Sequence, residues 1–136
     1  MRVMALDHGT RRVGVALSDE LKMIATPLEF IPAEPFTELV ARLQEIIGTK
    51  QVELLLVGMP RNMDGSYGPA AEAVKEFVAA LQAHVSTPIR FWDERLTSVQ
   101  ANRALIEANV RRDKRKGLVD KMAAALLLQS YLDSQP

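Results

Sequence analysis

The stretch MRVMALDHGTRRVGVALS, residues 1–18, decides the fold class. Arg2 to Leu6 is an apolar, β-compatible run that ends at Asp7-His8-Gly9. Arg12 to Ser18 (Arg-Val-Gly-Val-Ala-Leu-Ser) is a second such run. The residues Asp7 to Thr10 between them have the length of a hairpin connection, so two antiparallel strands open the chain. Ala25 to Ile31 reads as a third strand. Pro27 inside it has no N–H to give a ladder, which points to a sheet edge or a strand start. The chain therefore begins as an antiparallel meander.

Working outward, the periodicity changes. Phe36, Leu39, Val40, Leu43, Ile46 and Ile47 follow helical spacing, with Pro35 suited to the first helical position and Gly48 expected to end the helix. Val52 to Val57 is apolar apart from Glu53, the pattern of a central strand buried on both faces. Gly58 to Gly68 is a glycine- and asparagine-rich loop. Pro69 then starts a helix with Val74, Phe77, Val78 and Leu81 on one face. Pro88 to Trp92 is a short strand ending in Asp93-Glu94. Thr97-Ser98-Val99-Gln100 matches a capping box, and the helix it opens turns Val99, Leu105 and Ile106 inward. Arg111 to Lys116 reads as a basic loop, and Gly117 precedes a last helix, Leu118 to Leu132. The order is β-β-β-α-β-α-β-α. Strands reached through helices imply parallel crossovers. The expected fold is thus α/β: a mixed five-stranded sheet, three antiparallel then two parallel strands, flanked by helices. With no repeat, low-complexity tract or linker, residues 1–136 read as a single domain.

The bulk numbers narrow the function. Of 136 residues, 48% are apolar, enough for a core, yet no run approaches the roughly 20 apolar residues of a membrane span. The N-terminus lacks the charged-then-apolar order of a signal peptide. There is no cysteine, so disulfides and thiolate metal sites are excluded. A cytoplasmic protein with no membrane partner fits these features. The 17 basic and 17 acidic side chains balance, but unevenly. Residues 13–89 hold ten acidic and five basic side chains, whereas residues 90–121 hold nine basic and five acidic. A neutral chain can therefore still present a basic face to nucleic acid.

Four carboxylates stand at informative places. Asp7 ends the first strand, Asp93 and Glu94 end the last, and strand ends are where ligands bind in open α/β sheets. Asp120 lies in the first turn of the final helix. If Ala123 and Ala124 pack against the sheet, Asp120 can point back at Asp7. Converging carboxylates repel unless a cation compensates, and hard oxygen donors select Mg²⁺ or Mn²⁺. Two such ions about 4 Å apart suit phosphodiester cleavage. Plainer readings stand beside this one. Asp120 can be a favourable charge at a helix N-terminus, Asp7 a turn residue before Gly9, and Glu94 a surface partner of Arg95 or Arg90. The loop Gly58 to Ser66 could hold a phosphate, but it lacks the lysine and spacing of a P-loop. His8 and His84 have no zinc spacing.

Leu6-Asp7-His8-Gly9-Thr10 with Val13-Gly14-Val15-Ala16 and Ser18-Asp19 resembles the opening of the YqgF/RuvX family. So do Val57-Gly58-Met59-Pro60 with Asn62-Met63-Asp64-Gly65, Asp93-Glu94-Arg95-Leu96-Thr97-Ser98, and Lys116-Gly117-Leu118-Val119-Asp120-Lys121-Met122-Ala123-Ala124. The four motifs come in the right order and span almost the whole chain. The resemblance implies a ribonuclease H-like fold and metal-dependent phosphodiester hydrolysis. Members are described as Holliday-junction resolvases and as nucleases processing the 5′ end of precursor 16S ribosomal RNA. It implies Asp7, Glu94 and Asp120 as catalytic acids and ligands of a two-metal site holding Mg²⁺ or Mn²⁺. Asp93 and Asp64 compete for the place of the second acid. Arg61, Asn62, Arg95, Thr97, Arg112, Arg115 and Lys116 are the candidate substrate-binding residues. The expected partner is structured RNA or branched DNA, met by a monomer or a homodimer. The competing expectation is a non-catalytic nucleic-acid-binding ribosome-assembly factor of the same fold.

Overall fold

Strand β1 (Arg2–His8) lies at the centre of a five-stranded sheet ordered β3-β2-β1-β4-β5. The computed structural model describes residues 1–61, 64–93 and 112–135, the last helix by its backbone alone as far as residue 121. In chain order, β1 is followed by β2 (Arg12–Ser18), β3 (Ala25–Pro32), α1 (Phe36–Lys50), β4 (Val52–Met59), α2 (Pro69–Gln82), β5 (Ile89–Asp93) and α3 (Arg112–Ser134). β1 pairs antiparallel with β2, and β2 with β3. β1 pairs parallel with β4, and β4 with β5. This is the mixed sheet that the change of periodicity predicts. β3 is an edge strand, as Pro27 requires. The register slips between Val15 and Ala16, which pair with Glu29 and Pro27, leaving Leu28 as an extra residue in a bulge.

Alternation along the strands sorts side chains onto two faces. Met4, Leu6, Val13, Val15, Leu55 and Val57 enter one core, which α1 and α2 cover with Leu39, Leu43, Val74 and Leu81. Val3, Ala5, Ala16 and Leu56 form the other with Ala124, Leu127, Leu128 and Tyr131 of α3. β1 and β4 are thus buried on both sides, which explains why Val52–Val57 reads as a nearly unbroken apolar run. Each fully buried leucine here contributes roughly 1.5–3 kcal/mol.

Several expected boundaries move. Asp7 and His8 belong to β1, paired with Gly14 and Val13, so the true connection is Gly9 to Arg11. Gly9 closes it by donating its N–H to the Arg12 carbonyl, and a Cβ there would lie 2.7 Å from that oxygen. Glycine is therefore demanded by close approach. Helix α1 does not stop at Gly48. A Cβ at Gly48 would meet nothing within 4 Å, so the glycine sits on the open side, and the helix ends where Gln51 turns left-handed at φ 54°. Pro35 caps that helix in extended conformation and is not its first turn. The expected basic loop at 111–116 is helical from Arg112 onward, and Gly117 lies inside α3. Arginine and lysine are good helix formers, and one glycine costs only about 1 kcal/mol. The small residues buried against the sheet are Ala124 and Ala125, whereas Ala123 is only half-buried. Among the described residues, no helix is long and apolar enough to cross a membrane. The capping box at Thr97 and its helix lie outside the described residues.

Candidate active site

The face that a carboxylate occupies decides what it can do. Val3 and Ala5 of β1 pack on α3, so Asp7, two residues further, lies on the α3 face at the carboxyl end of the central strand. Its cross-strand partner is Gly14. A Cβ built on Gly14 would stand 3.7 Å from the Cβ of Asp7 and 3.4 Å from Cε1 of Phe30. The missing side chain opens a cleft of about 260 Å³ lined by Asp7, Gly9, Thr10, Arg11, Arg12, Gly14 and Phe30. On the other flank, Leu6 of β1 is level with Val57 of β4, so Gly58 follows beside Asp7. The sequence thus places glycines on both strands that neighbour this carboxylate.

Helix α3 runs antiparallel to β1. Near its C-terminal end, Tyr131 and Leu132 line a hollow with Val3, at the start of β1. Gln129 accepts the N–H of Ala25 and donates to the carbonyl of Met23, holding the helix to the β2–β3 turn. Towards its N-terminal end, Ala124 lines a hollow with Gly14. Following α3 back from Ala124 therefore leads towards the Asp7 end of the sheet. On β5, Trp92 meets Tyr131 edge-on at 5.2 Å, and its indole N–H donates to Ser130 at 3.4 Å. Arg90 donates to the Tyr131 hydroxyl at 3.4 Å.

Asp93 is level with Met59, whose side chain enters the α1/α2 core, so Asp93 faces away from Asp7. Its carboxylate lies 3.6 Å from the Arg61 guanidinium. Arg61 also donates from Nε and Nη2 to the Gly65 carbonyl, and its guanidinium stands 4.9 Å from the centre of the Tyr67 ring. Arg61 thereby braces the loop after β4. Asp64 accepts the Ser66 hydroxyl at 2.6 Å and the Ser66 N–H at 2.9 Å. The hydroxyl bond, then the amide bond, holds its carboxyl below the usual carboxylate range. It shapes the same loop. His8 faces the opposite core, its ring 4.7 Å from that of Phe77. Burial depresses its pKa, and the Asp7 charge offsets this in part.

Of the expected site residues, Asn62, Glu94, Arg95 and Thr97 lie outside the described residues. Arg112, Arg115, Lys116 and Asp120 are placed on the backbone of α3. Among the described residues, no three metal-ligating side chains cluster. Sequence reasoning misses Arg12, Gly14 and Phe30. Their meeting depends on the β2–β3 register, and the Leu28 bulge hides that register from simple alternation. The two-residue spacing of Arg12 and Gly14 from Ala16 is the available signal for the first two.

The family model described as RuvX, Holliday junction resolvase, matches residues 1–134. A protein of Halothermothrix orenii, provisionally named a pre-16S rRNA nuclease, is 50% identical over 135 residues, 99% of this chain and 96% of the relative. One of Moorella thermoacetica with the same name is 49% identical over 133 residues, 98% of this chain and 95% of that one. Among solved structures, the RuvC of T. thermophilus in complex with Holliday junction substrate matches with TM-score 0.53 at 17% identity, over 97% of this chain and 96% of RuvC. The fowlpox virus Holliday junction resolvase matches with TM-score 0.55 at 12% identity, over 99% and 100%. At those identities the likeness concerns the fold, which is the RuvC type of ribonuclease H-like sheet.

Proposed function

We propose, for a chain that belongs to the RuvX Holliday junction resolvase family, that it is a metal-dependent nuclease hydrolysing phosphodiester bonds at the Asp7 cleft. The observation that carries this reading is the position of Asp7. It stands one residue before the end of the central strand on the α3 face, with the Gly14 side left open.

Asp7, Glu94 and Asp120 are the residues that would hold divalent ions. Alternation along β5 puts Trp92 on the Asp7 face and Asp93 on the other. Glu94 is named for this role by its place in the motif Asp93-Glu94-Arg95. Position 120 lies four residues before Ala124, one helical turn and about 6 Å nearer the Asp7 end. The donor set fits the ion: carboxylate oxygens suit Mg²⁺ or Mn²⁺, and the space that a Gly14 side chain would fill leaves room beside Asp7. A divalent ion bound there supplies positive charge and Lewis acidity for attack on phosphorus. The chain's own part would be to hold these carboxylates together at the Asp7 end of the sheet. It also offers cations to the flanking phosphates. Arg95, Arg112, Arg115 and Lys116 are proposed for that last task, with Asn62 and Thr97 as polar contacts. Arg61, committed to Asp93 and Gly65, positions the loop.

For the substrate we propose precursor 16S rRNA, following the names of relatives about half identical over nearly the whole chain, and its 5′ region following the family resemblance. Branched DNA is the second reading, favoured by the description of the matching family. Cytoplasmic action as one domain accords with either. The test is incubation of purified protein with precursor 16S RNA and with a four-way DNA junction, in EDTA and after Mn²⁺ is restored. Cleavage of one or both that returns with Mn²⁺ supports the reading. Tight binding of RNA without cleavage under any metal would identify a non-catalytic assembly factor instead.

A further inference from the structure

Arg12 and Phe30 stand in the Asp7 cleft without a part in the scheme above. Both are exposed. Arg12 shares the α3 face with Gly14, two residues on, and Phe30 is the β3 partner of Gly14. The guanidinium carbon of Arg12 lies 3.8 Å from the centre of the Phe30 ring. Among the described residues, no carboxylate comes within ion-pair distance of Arg12. An arginine on a protein surface ordinarily finds a carboxylate or moves freely in water. This one is laid flat on an aromatic ring, which fixes its plane and leaves its N–H edges open to a ligand.

We infer that Arg12, oriented by Phe30, clamps a substrate phosphate next to the one that is cleaved. A planar guanidinium with free donors matches the oxygens of a phosphate in bidentate fashion, which an ammonium cannot do. The place suits the task, since the clamp and Asp7 line one cleft, separated by the Gly14 gap. A strand entering over β2 and β3 would present one phosphate to the guanidinium and the next to the carboxylate end. The positive charge also relieves the repulsion between that anionic strand and Asp7. A base is the poorer occupant, because the ring face is already covered by the guanidinium. Phe30 acts through Arg12 and is a positioning residue. The inference rests on Asp7 marking the reacting centre.

The test measures binding of a four-way DNA junction and of precursor 16S RNA across a salt series, with Ca²⁺ replacing Mn²⁺ to suppress cleavage. Arg12→Ala should weaken affinity about tenfold and lower the log–log salt slope by about 0.7 to 0.9, the share of one neutralised phosphate. Arg12→Lys should keep most of the slope and lose affinity. Phe30→Leu should keep the slope, and with Mn²⁺ restored its KM should rise while kcat is kept, because the charge remains and its orientation is lost. Thermal unfolding should be near parental in all three, since both side chains are exposed. A neutral methylphosphonate beside the cleaved bond should weaken the parent and leave Arg12→Ala unaffected. A parental slope and affinity in folded Arg12→Ala would overturn the clamp. So would a loss seen with normal DNA but absent when the neighbouring base is removed, which would indicate stacking. An Asp7→Asn control separates the two readings. If it binds like the parent but still cleaves, the proposed reacting centre fails. The salt slope of Arg12→Ala judges the phosphate clamp independently.

Discussion

Gly14→Ala should separate stability from activity. Replacing glycine within a strand removes an entropic disadvantage of roughly 0.5–1 kcal/mol. Against this stands the new methyl, 3.4 Å from Cε1 of Phe30 and 3.7 Å from the Cβ of Asp7. Phe30 is exposed at the edge strand and its ring can tilt away. The net change in stability should therefore stay within about 0.5 kcal/mol, a shift in Tm of about 2 °C for a domain of this size. Activity should respond far more. The methyl fills the open space beside the carboxylate that is proposed to help hold a divalent ion against the substrate phosphate. Misplacement by about 1 Å in such a site costs up to about a hundredfold. We expect single-turnover cleavage to fall about ten- to a hundredfold in Mn²⁺, while the melting curve stays near parental. A folded Gly14→Ala protein that cleaves at the parental rate would refute a role for the Gly14 gap in the site. A variant that fails to fold would refute the packing estimate.

Ser18 is buried, and its hydroxyl accepts the Val3 N–H at 2.9 Å while donating to the Asp19 carbonyl at 3.0 Å. Ser18→Ala strands that amide, so the urea midpoint should drop by the equivalent of about 1–3 kcal/mol with an unchanged m-value. Arg42 pairs with Glu29 across β3 and α1, and this hydrogen-bonded guanidinium holds the Glu29 carboxyl below its usual range. A depressed carboxylate pKa contributes stability above the unfolded value, and that contribution disappears as pH falls through the folded value. Stability curves of the parent and Arg42→Gln should thus differ at neutral pH and converge on acidification below about 4.5. A constant gap would exclude the pair as its source. Replacing Arg112, Arg115 and Lys116 together by alanine should lower the salt slope of substrate binding by about 0.7 to 0.9 for each phosphate the helix no longer neutralises. Turnover at saturating substrate should be retained, and an unchanged slope would remove this end of α3 from the substrate path.

Much of this architecture is legible in the residues themselves. The paired runs at Arg2 and Arg12, the nearly unbroken Val52–Val57 and the edge-seeking Pro27 indicate the antiparallel opening, the twice-buried strand and the edge strand, because burial on one face or two leaves a different alternation. Gly48 looks like a helix stop and Gly117 like the residue before a helix, yet both lie inside helices. Glycine costs about 1 kcal/mol in a helix, and packing by Leu39, Leu43, Leu127 and Leu128 outweighs it. The position of Asp7 follows from its place at a strand end, but its face requires knowing that the strand continues to His8. The partners of Asp93 and Asp64 are visible only in three dimensions, where Arg61 and Ser66 engage them. The Arg12–Phe30 pair depends on a bulge, and a single extra residue in β3 shifts the pairing beyond it.

The central claim is that one carboxylate on the α3 face, and not its neighbour at the other strand end, supports hydrolysis. Its most direct test is the single-turnover cleavage rate of Asp7→Asn beside Asp93→Asn, on precursor 16S RNA and a four-way junction in Mn²⁺. The account predicts that Asp7→Asn binds both substrates yet cleaves neither, while Asp93→Asn keeps most of the parental rate. Parental cleavage by a rigorously purified Asp7→Asn protein would contradict it.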